Sequence, residues 1–348
     1  MFSYKELSSL VFDSSIDADE IVIITGYIGP AIIGELKNSP YKARIYVGMY
    51  GNNISTHLHK SLLKNNAIDN VDIYYTKSLV HSKCYIWRKN SKIVKALIGS
   101  ANFSTSGLMT PEKEVLGDLA KDDFTKVTKY MSVIFGKAYP ITEYQVSSDD
   151  DQTQIPAEET IATNGSLAIS LLAGKGVGVK NIVGVSTVGG GVNSASGLNW
   201  GFSNGDSSPN DAYIKITSAH VRNNPLLFPQ KNSEKNMPID VVWDDGTEMQ
   251  MLLEGNQTVD GTIYPKQIST YKNKAEVGIY LRKRIGEKIG LDLTIPEELS
   301  KTEFRANADS YKDKLITREM LDKYGRTSIT IKLIGDRTYY FDFSPTEE

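Results

Sequence analysis

Cysteine is nearly absent from this chain. Cys84 is the only one in 348 residues, which excludes a disulfide framework and a cysteine-based metal site. Histidine is scarce as well, with four in all, so each can be weighed by its neighbours. No apolar run approaches a transmembrane span, and the Met-Phe-Ser-Tyr-Lys start lacks the apolar core of a signal peptide. A reducing cytoplasm is therefore the expected compartment. The net charge of -3 excludes a uniformly basic, coat-like binder of nucleic acid but leaves room for a local basic patch. No internal repeat is evident. Gly174-x-Gly176-x-Gly178 beside Lys175 lacks the Gly-Lys-[Ser/Thr] ending of a nucleotide loop, so ATP binding by this chain is not expected.

What is present divides in two, as the length allows. The first part alternates short apolar runs with helical stretches. Strands are predicted at Ile21–Ile24, Arg44–Gly48, Val71–Tyr74, Cys84–Trp87 and Lys95–Ile98. Helices are predicted over Pro30–Leu36, Ser55–Asn65 (with Ser55 as N-cap) and Asp122–Phe135. That rhythm predicts an α/β layered domain over residues 1–146. Ser147 to Thr160 is polar, acidic and nearly free of large apolar groups, and residues 147–163 read as a linker. Its acidity would also suit it to occupy a cationic cleft while a polyanion is absent. Residues 164–348 change texture, to short strands separated by Gly, Asn, Asp and Pro. Strands are expected at Val179–Val183, Ala212–Ile216 and Ile239–Trp243, with a helix over Thr317–Tyr324. A closing hairpin of Ser328–Leu333 and Thr338–Phe343 is expected to turn at Gly335-Asp336. This part is predicted to be mainly β, a barrel or barrel-like sheet.

The chemistry concentrates between residues 81 and 114. In a strand, residues two apart share a face, so His81 and Lys83 converge on one ligand while Ser82 and Cys84 face the opposite layer. A lone histidine on a strand would read as a core residue. A lysine two residues on, then Gly99-Ser100-Ala101-Asn102-Phe103-Ser104 after a second apolar strand, points instead to a phosphate site. Imidazole can attack phosphorus, while Lys83 and the Asn102 amide bind the non-bridging oxygens and stabilise the charge that develops there. Gly99 and Ser100 are expected to let the backbone approach the phosphate closely.

These residues resemble the phospholipase D signature. Gly107-Leu108 and Glu114-Val115-Leu116-Gly117 are similar to its downstream acidic element. The resemblance implies that a glutamate orients or polarises the nucleophilic histidine, a role that falls to Glu114 with Glu112 as the nearby competitor. The full superfamily motif has an aspartate five residues after the lysine, where this chain has Arg88. That departure points away from the lipid-acting branch. The branch that matches is the phospholipase-D-like type II restriction endonucleases, marked by His, Lys, Asn and Glu in this order. The implied fold is an α/β phospholipase-D-like N-terminal domain plus a mainly-β, pseudobarrel, plant-B3-like C-terminal domain. The implied catalytic set is His81, Lys83, Ser100, Asn102 and Glu114.

The half-site occurs once. In this superfamily two His-Lys half-sites make one centre, in which one histidine attacks and the other protonates the leaving oxygen. A chain with a single copy is therefore expected to form a homodimer through its N-terminal domain, with the site on the two-fold axis. His57 and His59 lack a lysine two residues on, His220 stands alone, and His57-x-His59 on a helix would diverge as a metal pair. No metal and no other cofactor is implied, because a covalent phosphohistidine does the work otherwise given to Mg²⁺.

In the second part, residues 185–201 are rich in Gly, Ser and Asn, as a groove-following loop or an ordinary flexible loop would be. Between Gly261 and Gly290 seven Lys/Arg (266, 272, 274, 282, 283, 284 and 288) stand against Glu276 and Glu287, with Tyr264, Tyr271 and Tyr280 interleaved. This is the strongest basic patch, suited to phosphate contacts or to a solvated face. Ser-Gly-Leu-Asn-Trp-Gly at 196–201, Tyr280–Gly286 and Tyr324-Gly325-Arg326 resemble the C-terminal domain of the same enzymes. There, two arms grip the major groove of duplex DNA. The resemblance places those arms at Asn193–Trp200 and Lys266–Arg284, with Asn193, Ser194, Asn199, Trp200, Lys272, Lys274, Arg282, Lys283 and Arg284 as DNA-contacting candidates. It also admits a separate ATP-dependent partner subunit, which some members require. The alternatives are a phospholipase or non-specific phosphodiesterase of the same superfamily, and a DNA-binding protein without activity.

Overall fold

The computed structural model describes residues 2–50, 54–110, 113–145, 165–174, 180–231 and 235–345. The acidic stretch read as a linker, Glu112, the Gly174–Gly178 motif beyond Gly174, and Val179 lie outside them. The described residues pack as two compact units. One comprises Met1–Gly165, Met237–Gln250 and Leu333–Tyr340; the other comprises Ser166–Asn236, Met251–Lys332 and Phe341–Glu348.

Eight strands build the sheet of the first unit: β1 (Phe2–Ser3), β2 (Glu20–Thr25), β3 (Lys42–Val47), β4 (Val71–Thr76), β5 (Lys83–Lys89), β6 (Lys92–Gly99), β7 (Leu116–Asp118) and β8 (Ala138–Pro140). Their order is β1-β7-β6-β5-β2-β3-β4-β8. β2, β3 and β4 run parallel, whereas β5 is antiparallel to β2. The helices are α1 (Leu7–Val11), α2 (Pro30–Ile33), α3 (Thr56–Asn66), α4 (Thr105–Met109) and α5 (Phe124–Phe135). The helix expected over Pro30–Leu36 is one turn of α-helix followed by a 3₁₀ stretch, Gly34–Asn38.

Central strands are apolar on both faces because both faces are covered. Ile21 and Ile23 of β2 and Tyr85 and Trp87 of β5 enter one core, with Ile32 of α2, Leu58 of α3 and Leu108 of α4. Val22, Ile24, Cys84 and Ile86 enter the other, with Met131 and Ile134 of α5. Arg88, which stands where the superfamily's aspartate is expected, forms an ion pair with Glu20 at 2.7 Å and serves the sheet rather than the site.

The remaining strands are β9 (Ser166–Ser170), β10 (Ile214–Lys215), β11 (Met237–Trp243), β12 (Glu248–Glu254), β13 (Gln257–Val259), β14 (Thr262–Tyr264), β15 (Gln267–Thr270), β16 (Ser328–Gly335) and β17 (Thr338–Asp342). Seven of them form a sheet of order β10-β15-β12-β11-β17-β16-β9, and β13 and β14 pair with each other. The accompanying helices are α6 (Ser218–Asn223), α7 (Ala275–Ile289), α8 (Lys301–Ala306) and α9 (Arg318–Tyr324). The closing hairpin and the helix ending at Tyr324 stand where the sequence placed them. Thr317 caps α9, and Gly325, at φ +95°, ends it.

One expected strand is not formed. Val183 and Val185 donate their backbone N–H groups to the Asn181 side chain, and Gly184 lies at φ +72°, so the chain turns within the described part, 180–183, of the strand expected over Val179–Val183. Ala212–Ile216 shortens to Ile214–Lys215.

Candidate active site

The end of β2 supplies the floor of the site. Thr25 is fully buried; its hydroxyl donates to the Tyr27 carbonyl at 2.7 Å and accepts from the Phe103 N–H at 3.0 Å. The segment after β2 is thereby tied to the segment after β6. Gly26 lies between them. A Cβ there would come within 3.0 Å of Met49, 3.1 Å of the His81 ring and 3.3 Å of the Asn102 side-chain oxygen. Only a residue without a side chain leaves His81 and Asn102 their positions.

His81 precedes the ladder of β5, and Lys83 opens it. The period-two alternation nevertheless holds. His81 and Lys83 line one pocket, while Ser82 and Cys84 line an apolar recess on the opposite face, where the Ser82 hydroxyl is hydrogen-bonded to Tyr130. Lys83 is buried and donates from Nζ to the His81 carbonyl at 2.6 Å, which fixes the ammonium beside the imidazole. His81 is exposed, with its ring edge-on to Tyr27 at 6.5 Å between centroids. Burial pushes the Cys84 thiol up to about 11, so it stays protonated behind the site.

Asn102 is oriented by the backbone. Its Oδ1 accepts from the Tyr27 N–H at 3.1 Å, and its Nδ2 has no hydrogen-bond partner among the described residues. The amide therefore offers a donor to the pocket. Ser104 caps α4 by accepting from the Gly107 N–H at 3.0 Å, and Tyr85 holds the Ala101 carbonyl at 2.9 Å.

Besides lining the pocket, Ser100 and Gly99 seat the neighbouring chain segment. The Ser100 hydroxyl accepts from the Val115 N–H at 3.1 Å, holding the chain immediately after Glu114. A Cβ on Gly99 would meet the Val115 carbonyl at 1.9 Å, so this glycine admits a neighbouring strand end.

The five residues expected from the sequence, His81, Lys83, Ser100, Asn102 and Glu114, all line one open pocket of about 440 Å³. Sequence reasoning missed five others in its wall: Tyr27, Ser106, Lys113, Asp336 and Arg337. The last two come from the β16–β17 turn, more than 200 residues downstream of Glu114, and no motif links them to the half-site. Among the described residues no hydrogen bond joins Glu114 to His81. The other histidines take structural places. His59 Nδ1 lies 2.9 Å from the Tyr75 hydroxyl, His57 stacks on Tyr340, and His220 completes the capping box of α6.

The DNA-contacting candidates separate by burial. Arg282 on α7 is fully buried. It donates to the carbonyls of Leu293 (3.2 Å), Lys314 (2.5 Å) and Leu198 (3.0 Å) and to the Asn199 side-chain oxygen (3.3 Å). Burial lowers its guanidinium to about 10. Asn199 is buried too, accepting from the Ile316 N–H at 2.9 Å and donating to the Ile316 and Asn193 carbonyls. Ser194 is buried with its hydroxyl between Thr187 and the Val185 carbonyl. Of the residues expected to touch DNA, Arg282, Asn199 and Ser194 are thus placed inside the domain, with their polar atoms engaged in holding the fold. The Lys266–Arg284 region contains β15 and much of α7. Lys272 and Lys283 are exposed. Lys274 lies over Trp200 at 5.1 Å and pairs with Glu254 at 3.1 Å, Arg284 donates to the Tyr280 hydroxyl at 2.9 Å, and Asn193 accepts from the Ala195 N–H.

Two family models match the chain in tandem. The NgoFVII restriction endonuclease N-terminal PLD domain covers residues 5–143, and the NgoFVII C-terminal B3-like DNA-binding domain covers residues 178–335. The protein is thus a phospholipase-D-like α/β catalytic domain followed by a near-barrel β domain that binds DNA. The chain belongs to the NgoFVII restriction endonuclease family, whose members are type II deoxyribonucleases. No curated protein matches it in sequence. Among solved structures it is similar to NucT from Helicobacter pylori (16% identity, 40% of this chain and 99% of that one, TM-score 0.31). It is also similar to Nuc from Salmonella typhimurium, a phospholipase D family member (15%, 40% and 93%, TM-score 0.31). A third match is polyphosphate kinase from Porphyromonas gingivalis (10%, 40% and 23%, TM-score 0.29). Among the described residues no helix is long and apolar enough to cross a membrane.

Proposed function

We propose that this restriction endonuclease cleaves duplex DNA at a specific sequence, without a metal ion, through a covalent phosphohistidine at a site shared by two chains. The observation that carries the reading is the convergence of His81, Lys83, Asn102 and Glu114 on one pocket. Lys83 and the Asn102 Nδ2 bind the non-bridging oxygens of the scissile phosphate. A ring nitrogen of His81 attacks phosphorus, forming a P–N bond as the P–O bond to the leaving nucleotide breaks. The second copy's His81, as imidazolium, gives its proton to the leaving oxygen. Water then attacks phosphorus and loses a proton to that same ring, and breaking the P–N bond restores His81. Glu114 holds the imidazolium's second N–H once the substrate or the second chain closes the pocket. The cationic and dipolar groups supply the charge stabilisation that a metal supplies elsewhere.

In this reading residues 1–146 form the nuclease and dimerisation part, 147–163 a linker and 164–348 the recognition part. Two segments of the last, Met237–Gln250 and Leu333–Tyr340, pack with the nuclease residues. Exposed Lys272 and Lys283, with Asn193, Trp200, Lys274 and Arg284, are the DNA-facing candidates that burial leaves available.

The test is digestion of a long DNA in EDTA, with and without ATP and neighbouring gene products, followed by mapping of the fragment ends. Discrete ends from the wild type, none from His81→Ala, and an acid-labile phosphoryl adduct on the denatured protein are expected. Mixing in excess His81→Ala chains should suppress the wild type, because a mixed dimer has one imidazole. Cleavage that persists in His81→Ala would refute the reading.

A further inference from the structure

The turn between β16 and β17 places Asp336 and Arg337 in the wall of the catalytic pocket. Arg337 sits at φ +49°, in the left-handed region. A two-residue hairpin turn normally fills such a position with glycine or asparagine, because a long side chain there costs backbone energy. The turn is nevertheless held firmly. The Asp240 N–H donates to the Arg337 carbonyl at 3.1 Å, and the Thr338 hydroxyl donates to the Asp336 carbonyl at 3.2 Å.

The guanidinium itself is uncommitted. Arg337 is half-buried, and no hydrogen bond or ion pair of its side chain is found among the described residues. Its charge falls on Lys113, another wall residue, whose ammonium is held below its usual range first by burial and then by Arg337, against the opposing pull of Glu114 and Asp336. The wall thus carries two cations beside two carboxylates, and the cations are the groups there that can take a substrate anion. Arginine's planar fork suits phosphate oxygens in particular.

We propose that Arg337, with Lys113, binds a phosphodiester of the substrate strand inside the catalytic pocket, beside the groups Lys83 and Asn102 contribute. This rests on the nuclease reading above and extends it. The half-site legible between residues 81 and 114 is completed by a cation from the last hairpin of the chain. A strained position keeps arginine because its side chain binds substrate there.

The discriminating variant is Arg337→Gly, which relieves the backbone at φ +49° and removes only the cation. Calorimetric titration of the full-length wild type and variants with inorganic phosphate, and separately with tungstate, reads the site directly. Arg337→Gly is expected to melt at or above the wild-type temperature and to bind either anion about 10- to 100-fold more weakly, as loss of a charged hydrogen-bonding group implies. Arg337→Lys should recover part of the affinity. With DNA, the slope of log affinity against log salt should shrink by about 0.9, one phosphate contact. His81→Ala should bind the anions and fail to cleave. Unchanged anion affinity in Arg337→Gly would overturn the proposal even if the wild type cleaves DNA. An affinity loss in Arg337→Gly alongside a wild type that never cleaves in EDTA would uphold it and refute the metal-free nuclease reading instead.

Discussion

The carboxylate of Asp240 accepts two hydrogen bonds from Thr105, each 2.8 Å long, one from the backbone N–H and one from the hydroxyl. Thr105 is the first residue of α4, three residues beyond Asn102, and the same carboxylate also takes the N–H of Ile32 in α2. One buried side chain from β11 thus satisfies donors at the starts of two helices, where N–H groups have no partner within the helix. These are α2 and α4, the second of which follows the Asn102 segment.

Removing that carboxylate should loosen those helix starts. Asp240→Ala is expected to destabilise the protein by about 1–3 kcal/mol, because it strands buried donors. Asp240→Asn, which keeps one acceptor oxygen, should cost less. The pH dependence has a definite sign. Burial raises the Asp240 carboxyl from its ordinary 3.8 to about 7, against the hydrogen bonds that lower it. Between those values the folded chain holds a proton that the unfolded chain has released. The group's contribution is therefore fully present below about 3.8, falls as pH rises, and is lost above about 7. Urea unfolding at pH 5 and pH 8 should show the stability of the wild type relative to Asp240→Asn declining across that interval. A pH-independent difference would count against this assignment.

Asn102→Asp keeps the oxygen that accepts from Tyr27 and replaces the pocket-facing donor with an anionic oxygen. Cleavage should fall by about 10²–10³-fold or more, the usual loss for one oxyanion donor, while the melting temperature changes little. Single-turnover rates at saturating enzyme will separate this from weakened DNA binding.

Gly26→Ala tests the floor of the site. The added methyl would press on Met49, His81 and Asn102 at 3.0–3.3 Å, so the neighbours must move by tenths of an ångström. The rate should drop by up to about 10²-fold, since small misplacements of reacting groups are costly, with a far smaller effect on DNA affinity. Equal losses in both would mean that the methyl perturbs the fold rather than the site.

Arg282→Ala separates structure from DNA contact. The guanidinium serves three carbonyls and Asn199 in a fully buried position, so its removal is expected to destabilise the chain by about 3 kcal/mol or more. Exposed Lys283→Ala should leave stability within about 0.5 kcal/mol and, as a phosphate-contact candidate, reduce the salt slope of DNA binding. Thermal melts and salt titrations of the two variants should therefore rank them in opposite orders.

The fold class and the convergence of the candidate half-site were legible because their signals are local. Alternation along one strand suffices to put His81 and Lys83 on one face and Ser82 and Cys84 on the other, and apolar runs such as Ile21–Ile24 mark strands covered on both sides. Val179–Val183 misled because its apolar residues flank Asn181, whose side chain captures the backbone donors that a strand would give to a neighbour. The basic run from Lys266 to Lys288 misled for another reason. A charge reads alike on an exposed and a buried helix face, and only packing shows that Arg282 is inside and Lys283 outside.

The sequence by itself determined the candidate reacting groups, since imidazole, ammonium and amide at these spacings are chemically specified before any folding. The tertiary structure alone decided what holds and completes them. Asp240 reaches Thr105 across 135 residues, and the Arg337 turn reaches the wall of the His81 pocket from the far end of the chain. Such contacts depend on how distant strands pack, and no local pattern encodes them.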